Sequence, residues 1–566
     1  MTKASRLAIA TLALLGVAAL GAPCFAGDDG TYAELNKDSS KSRALSEGRK
    51  ILEDWVKAEE ELRDPKQQRN AQKWADRQRE AREEFAAWMA KTPETLGVDL
   101  RTKPLTVLEI FDEARVGTLN TKYARAKLDY VKVDDPRGMD RLEYSLWVPN
   151  KYNVKGDRVP GVISLHGRVS NPKNHAFRGN AQRFLERSRL PIWNYWQDSP
   201  AGQEVIVVAP TGLSDGFKFS PDDHFDNLQV LYRVLGELLR NYRVDWDRVF
   251  LEVEGEAMRI ACEQTFVFAG FIVRERVDDR RSPIIPPEEF FMFENLNGVP
   301  LVYIADEKNW EKVGQPVAEA LKAAYEKAGA SENLLVMKGA RDVNDALKGD
   351  EAKLQEFVTK HRKPVARTSF TWRFHKSTMQ SCLPIEITGA NFSYGEDAVK
   401  AQLHEKAGTL KVKSSVATEE VEVDDGQGGK KMEQRSYNRI EIEATEAESV
   451  LIYLMEGFIK FGLPLKVVVN GKTIVERDTV ERDWSLFWDY TVPRRYFMLP
   501  IFGQQQDINF ALKPQFVPAA PPEGATPQDG EKPADETPPA KAADGAAEGA
   551  AAAGSDEAGG DAKSAK

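Results

Sequence analysis

Apolar positions recur at helical spacing from 36 to 92. Ile51, Leu52, Trp55, Val56 and Leu62 precede Asp64-Pro65, and Trp74, Ala81, Phe85 and Trp88 follow it. Proline lacks the N–H and clashes with the preceding turn, so the pattern predicts two antiparallel helices joined near Pro65. Their tryptophans are expected to pack against each other or against the main domain, because the stripe is too irregular for sustained heptads. From about 125 to 360 short apolar runs alternate with amphipathic stretches. Strands are expected at 141–148, 161–165, 204–209, 248–251, 300–304 and 333–337, with another short apolar run at 266–273. Helices are expected over 227–242, with Leu228, Val230, Leu231, Val234, Leu235, Leu238 and Leu239 on one face, and over 311–328. Consecutive apolar strands separated by such helices predict an α/β fold, a mostly parallel sheet covered on both faces, with ligands at the carboxyl ends of its strands. From about 364 to 515 the period shortens to two. Strands are expected at 368–374, 410–415, 438–444, 449–454 and 465–469, the last closed by the hairpin signal Asn470-Gly471, and 424–431 reads as an exposed hairpin loop.

The two ends add to this picture. Lys3 and Arg6, the apolar run 7–20 and Ala22-Pro-Cys-Phe-Ala26 form the pattern of a secretory signal peptide cleaved after Ala26. Cys24 invites a lipoprotein reading, but Gly21-Ala22-Pro23 is a poor lipobox. The expected location is periplasmic or secreted, and no later run reaches the about 18 apolar residues that span a bilayer. After processing, only Cys262 and Cys382 remain, enough for at most one disulfide, so stability must come from packing. With 88 acidic against 78 basic residues the chain is no general nucleic-acid binder. Residues 517–566, rich in Ala, Pro, Gly and charges, are expected to be disordered, a solubilising tail or a tether. The expected organisation is a signal peptide (1–26), a helical region (27–124), an α/β domain (125–363), a β-rich domain (364–516) and this tail.

Chemistry concentrates around 248–258. A strand run enters a tight segment and then a helix, and the five positions between them read Val253, Glu254, Gly255, Glu256 and Ala257. Other motifs follow a matching order: Tyr144-Ser-Leu-Trp-Val-Pro149, Leu165-His166-Gly167, Val208-Ala-Pro210, Phe293-Glu-Asn-Leu296 before 299–306, and Gly339-Ala340. Over roughly 140–345 this order resembles the α/β-hydrolases, in their secreted esterase branch (polyhydroxybutyrate depolymerase-like and feruloyl esterase-like) grading into prolyl oligopeptidase-like peptidases. The β-rich region, with Asn438-Arg-Ile440 and the 467–472 hairpin, is similar to modules of planctomycete-type secreted proteins. The first resemblance implies an oxyanion turn at His166 and Gly167, a nucleophile at Gly255, an acid at Asp306 and a base at Asp342. Glycine has no group with which to attack and aspartate cannot replace the histidine between acid and nucleophile, so two of three roles are missing. Val253, where a small residue relieves the sharp turn, indicates relaxed geometry.

Other groups offer weaker alternatives. Asp222, Asp223, His224 and Asp226 read as helix caps or as a cation site. Glu252, Glu254, Glu256 and Glu263 read as solvent-facing carboxylates paired with arginines, as an acidic pocket partly neutralised by Arg168, Arg259 or Arg341, or as paired carboxylates for glycoside hydrolysis; the last needs a fully extended elbow, since a turn there would scatter the first three. Trp193 and Trp196 lie in an insertion over the expected site, as ligand surface or as loop anchors. No metal or cofactor is implied. The expected function is an exported, non-catalytic hydrolase-like protein that binds an extracytoplasmic protein or glycan. The rival is a serine esterase or peptidase with relocated residues, for which Ser164, Ser170, Ser214, His166 and His175 are available.

Overall fold

The computed structural model describes residues 32–488 and 506–509, except 119–127, 134–141, 166–195, 197–198, 211–220, 255–256, 276–290, 308–309, 340–349, 375–380, 390–407 and the single positions 365, 383, 425, 427, 448 and 478. The chain divides into Met1–Leu512 and Lys513–Lys566, and every described residue belongs to the first unit. The signal-peptide and tail expectations lie outside the described residues.

Helix α1 (Ser39–Arg63) starts at Asp38, whose carboxylate accepts the Ser40 N–H at 2.9 Å, and stops at Asp64 before Pro65. A 3-10 turn (Pro65–Asn70) leads into α2 (Ala71–Lys91). Gly48, early in α1, meets Trp88, late in α2, and a Cβ at Gly48 would stand 2.6 Å from the Trp88 ring. Arg77 pairs with Asp54 at 2.7 Å, so the helices run antiparallel as the break at Pro65 predicts. A further helix, α3 (Pro104–Thr118), joins them.

The main sheet has the order β1-β2-β4-β3-β5-β6-β7-β8. Its strands are β1 (Leu128–Val133), β2 (Leu142–Trp147), β3 (Val159–Leu165), β4 (Ile206–Pro210), β5 (Val244–Glu254), β6 (Gly270–Glu275), β7 (Leu301–Asp306) and β8 (Leu334–Gly339). Only β2 runs against the others. Period-two alternation sends Ile163, Leu251, Val253, Val273 and Tyr303 to the face packed by α4 (Pro221–Asn241) and α6 (Gln315–Lys327). Val162, Phe250, Ile272, Val302 and Ile304 face Trp196 and, from α7 (Glu351–Lys360), Leu354, Phe357 and Val358. Each such side chain contributes about 1.5–3 kcal/mol by leaving water. This is the mostly parallel sheet with helices on both faces that the pattern predicts.

Of the boundaries that differ from the expectation, three have a local physical reason. β5 runs through Glu254 instead of stopping at 251, because Leu251 and Val253 continue the buried alternation. α4 begins at Pro221 rather than 227, since proline's fixed φ suits a first helical turn and its missing N–H is not needed there. β6 begins at Gly270, where a Cβ would lie 2.8 Å from the Pro300 carbonyl; Phe266, Val267, Phe268 and Ala269 ahead of it are buried outside the strand.

The β-rich region forms two sheets. One orders β10 (Ser381–Cys382), β11 (Ile385–Gly389), β14 (Ser449–Ile452) and β17 (Gln506–Asn509). The other orders β16 (Lys472–Arg477), β15 (Leu465–Val469), β13 (Lys430–Thr445), β12 (Gly408–Asp424) and β9 (Ser369–Phe374). Asn470 and Gly471 take φ of 48° and 81°, the positive values that the tight β15–β16 turn requires. Trp88 packs within the helical pair, against Gly48 and Phe85, but Trp55 has a different partner from the two expected. Trp488, beyond β16, lies 5.9 Å from Trp55, 6.1 Å from Phe85 and 6.3 Å from Phe111, so the N-terminal helices share one core with the β-rich region. The main sheet already has both faces covered by its own helices, which leaves the helical pair to the other apolar surface.

Candidate functional site

All strands from β3 to β8 run parallel, so the ends of β3, β5, β7 and β8 share the carboxyl edge. β5 ends at Glu254, and after a gap at 255 and 256 a six-residue helix, α5 (Met258–Glu263), begins behind Ala257. The expected strand and helix are therefore present on either side of 255 and 256. Gly255 and Glu256 themselves lie outside the described residues, as do His166, Gly167, Arg168, Trp193, Arg341 and Asp342. Asp306 closes β7 on the same edge, in the place the resemblance gives to the acid.

The described carboxylates at this edge depart from the expectation. Because β5 stays extended to 254, Glu252 and Glu254 are not scattered by a turn but share the face of Phe250. They are also buried rather than solvent-facing, at 1% and 5% exposure. Their cation comes from β6: Arg274, paired in register with Glu254 and itself 2% exposed, places Nε 2.9 Å from Glu252 Oε1 and Nη1 3.4 Å from Glu254 Oε1. Trp196 Nε1 donates to the other Glu252 oxygen at 3.0 Å. Trp196, a candidate for a binding cleft, is thus a fully buried side chain that closes one end of an ion-pair cluster. Placing charges in a low-dielectric interior is costly unless they are paired, and here one guanidinium bridges two carboxylates.

Arg274 was not among the sequence candidates. Its signal is present in Gly270-Phe-Ile-Val-Arg-Glu275, where two charges end an apolar run that a central strand must bury; such charges require partners on neighbouring strands. Arg259, an expected neutraliser of the β5 glutamates, instead lies 3.5 Å from Glu263 within α5, both buried. Burial pushes the Arg259 pKa down. Cys262 between them is free and buried, and burial followed by the Glu263 charge pushes its thiol well up, so it is a packed, unreactive group. Glu275 turns to the opposite sheet face, where Tyr303 donates to it at 3.4 Å.

The relocated-triad pieces fare unevenly. Ser164 is buried on β3 in register with Glu252. Ser170, Ser214, His166 and His175 lie outside the described residues. His361 is the one histidine whose side chain is described, and it stands at the other end of the sheet. Its ring packs 5.0 Å from Phe357, burial lowers its pKa, and two residues on, the Lys363 N–H reaches Asp247 O, near the start of β5, at 2.6 Å. Asp222, Asp223, His224 and Asp226 fall inside the first turns of α4 rather than ahead of it. Among the described residues no cluster of three or more metal-ligating side chains occurs.

No family model matches the chain, and no curated protein matches it. Among solved structures it is similar to a thermostable esterase, at 16% identity over 42% of this chain and 63% of that one, with a TM-score of 0.29. A ferulic acid esterase matches at 15% identity over 42% of this chain and 98% of its own, with a TM-score of 0.27. S-formylglutathione hydrolase from Staphylococcus aureus matches at 8% identity over 41% and 99%, with a TM-score of 0.26. The described edge residues form an ion-pair cluster in which Arg274 holds Glu252 and Glu254.

Proposed function

We propose that this chain is an exported, non-catalytic α/β-hydrolase-like protein with a binding or structural role. The observation that carries the reading is the Glu252–Arg274–Glu254 cluster, closed by Trp196, at the strand end where position 255 is glycine. A nucleophile elbow needs a side chain with a transferable proton and a base beside it. Gly255 supplies no side chain, Asp342 replaces the histidine, and the neighbouring carboxylates are already committed to Arg274. The similar structures are esterases and hydrolases, a chemistry that belongs to those proteins and is not needed here.

Turnover of short acyl esters by the purified chain tests the proposal. The expected rate equals the buffer background and is unchanged by Ser164→Ala. Enzyme-dependent hydrolysis abolished by one serine substitution would establish the serine-esterase reading instead. Export is tested separately by the mass of the chain recovered from the expressing cell's exported fraction, which is expected to begin at Gly27.

A further inference from the structure

β12 and β13 pair with each other from Thr409 and Thr445 out to Asp424 and Lys430. Their near halves are anchored in the molecule. Leu410 and Val412 of β12 and Ile440 and Ile442 of β13 are buried, β9 pairs with β12 over 408–413, and β15 pairs with β13 over 438–442. Their far halves differ. Among the described residues from 415 to 436 none is buried, and every position from Lys430 to Arg435 is exposed. Backbone pairing without buried side chains gives a two-stranded ribbon little stability of its own in water. Opening the end of such a ribbon uncovers hydrogen-bonding groups that water satisfies, which places it at the low end of local unfolding free energies. The turn beyond it is built on Gly426 and Gly428, with φ of 74° and 83°, and the Asp424 carboxylate accepts the Gly426 N–H at 2.9 Å.

We propose that the end of this ribbon is a processing site, at which an endoprotease specific for basic side chains cuts after Lys430 or Lys431 and leaves the two parts of the chain assembled. Two adjacent lysines stand where the strand leaves the turn, with side chains 70% and 55% exposed. Lys430 pairs with Glu422 at 2.9 Å and Lys431 with Glu433 at 2.5 Å. Such surface pairs contribute little, so they do not hold either lysine back from an acidic specificity pocket. A protease takes its substrate as an extended strand, which 430–435 already is, and the pairs from Asp424–Lys430 to Glu419–Arg435 are the ones that separate. One water is consumed: the scissile amide becomes a carboxylate on the lysine and an amino group on the residue after it. Loop tips of small and polar residues are the preferred places for such a nick. Basic residues of the helices are placed differently. Lys50 and Arg82 lie on α1 and α2, whose turns carry the buried Leu52, Ala81 and Phe85, so a cut there requires the aromatic core to open. After the cut, the β9–β12 and β13–β15 pairs and the Ser414 hydroxyl, which donates to the Phe458 carbonyl, still hold both parts.

Limited digestion of the folded full chain with trypsin, read by sequencing the new N-termini, tests the site. The first cut between 32 and 509 is expected to leave Lys431 or Met432 as the new N-terminus. The two parts should coelute in gel filtration and separate in denaturant. Lys430→Gln with Lys431→Gln should remove that cut at an unchanged melting temperature. Glu420 opposes Gln434 across the ribbon. A disulfide between the cysteines of Glu420→Cys and Gln434→Cys, its formation checked by mass, should slow the cut about tenfold relative to the same variant reduced, since the ribbon must open first. A first cut elsewhere in that span, parts that separate without denaturant, or a rate that the disulfide leaves unchanged would overturn the proposal.

Discussion

Arg274 holds two buried carboxylates at the end of β5, and its removal strands both. Arg274→Met is expected to cost about 3–5 kcal/mol, read as a lower urea midpoint, because an uncompensated buried charge is worse than none. Adding Glu252→Gln and Glu254→Gln should recover most of that loss; no recovery would mean that the cluster is not the charge-balanced unit described. A second residue-level expectation concerns pH. Burial, reinforced by a hydrogen bond and repulsion from Asp245, pushes the Asp247 carboxyl up to about 6. Burial also raises Asp245, but its bond with Asp247 and the Arg248 and Arg362 cations outweigh this and hold it low. The folded chain therefore keeps a proton on Asp247 that the unfolded chain, with an aspartate pKa of about 3.9, gives up earlier. Stability from this group is complete below about pH 4 and is lost as pH rises through about 6. Asp247→Asn keeps a hydrogen-bonding group without the charge, so urea midpoints of the variant should decline less than those of the unmodified chain between about pH 4 and 7. The reading of Gly255 as a missing nucleophile rests on residue type and on the resemblance, and that position lies outside the described residues. The sequence did not make the pairing of Glu252 and Glu254 legible, because that depends on how far β5 stays extended and on which strand lies beside it.

Among the elements, the strands were the most readable, since alternating or continuous apolar runs have few other uses. Their ends were less so: nothing local distinguishes the last paired residue of β5 from the first of a turn. The joints between elements were not readable at all, because they rest on polar side chains that look like ordinary loop residues. Asn295 accepts the Arg373 N–H at 2.6 Å and donates to the same residue's carbonyl at 2.9 Å. Asn297 does the same for Thr371, at 2.7 and 2.8 Å. Two side-chain amides thereby stand in for a neighbouring strand along β9 and fasten the β-rich region to the α/β domain. Asn295→Ala with Asn297→Ala is expected to cost about 1–3 kcal/mol for each amide removed, because the β9 groups left behind lose their partners. Hydrogen exchange at 371 and 373 should accelerate with it; protection equal to that of the unsubstituted chain would show that the edge is held by other means. Gly48 is the corresponding point in the helical region. Gly48→Ala must displace the Trp88 ring and is expected to lower the melting temperature, although alanine is the better helix former by about 1 kcal/mol.

For the whole molecule, the mostly parallel sheet serves as a scaffold into which further layers are tied. Phe266 lies 5.2 Å from Phe370 and 5.7 Å from Trp372, Arg243 pairs with Glu113 of α3 at 2.9 Å, and Trp488 completes the aromatic core between helices and β-rich sheets. Among the described residues no helix is long and apolar enough to cross a membrane. The proposed non-catalytic role requires that no serine of this chain is activated. Incubation with a serine-directed fluorophosphonate followed by intact-mass measurement tests it without a guess at substrate, since the reagent reports an activated hydroxyl directly. The unmodified mass is expected. A single phosphonyl adduct on one serine, formed by the folded chain and lost on denaturation, would contradict the claim.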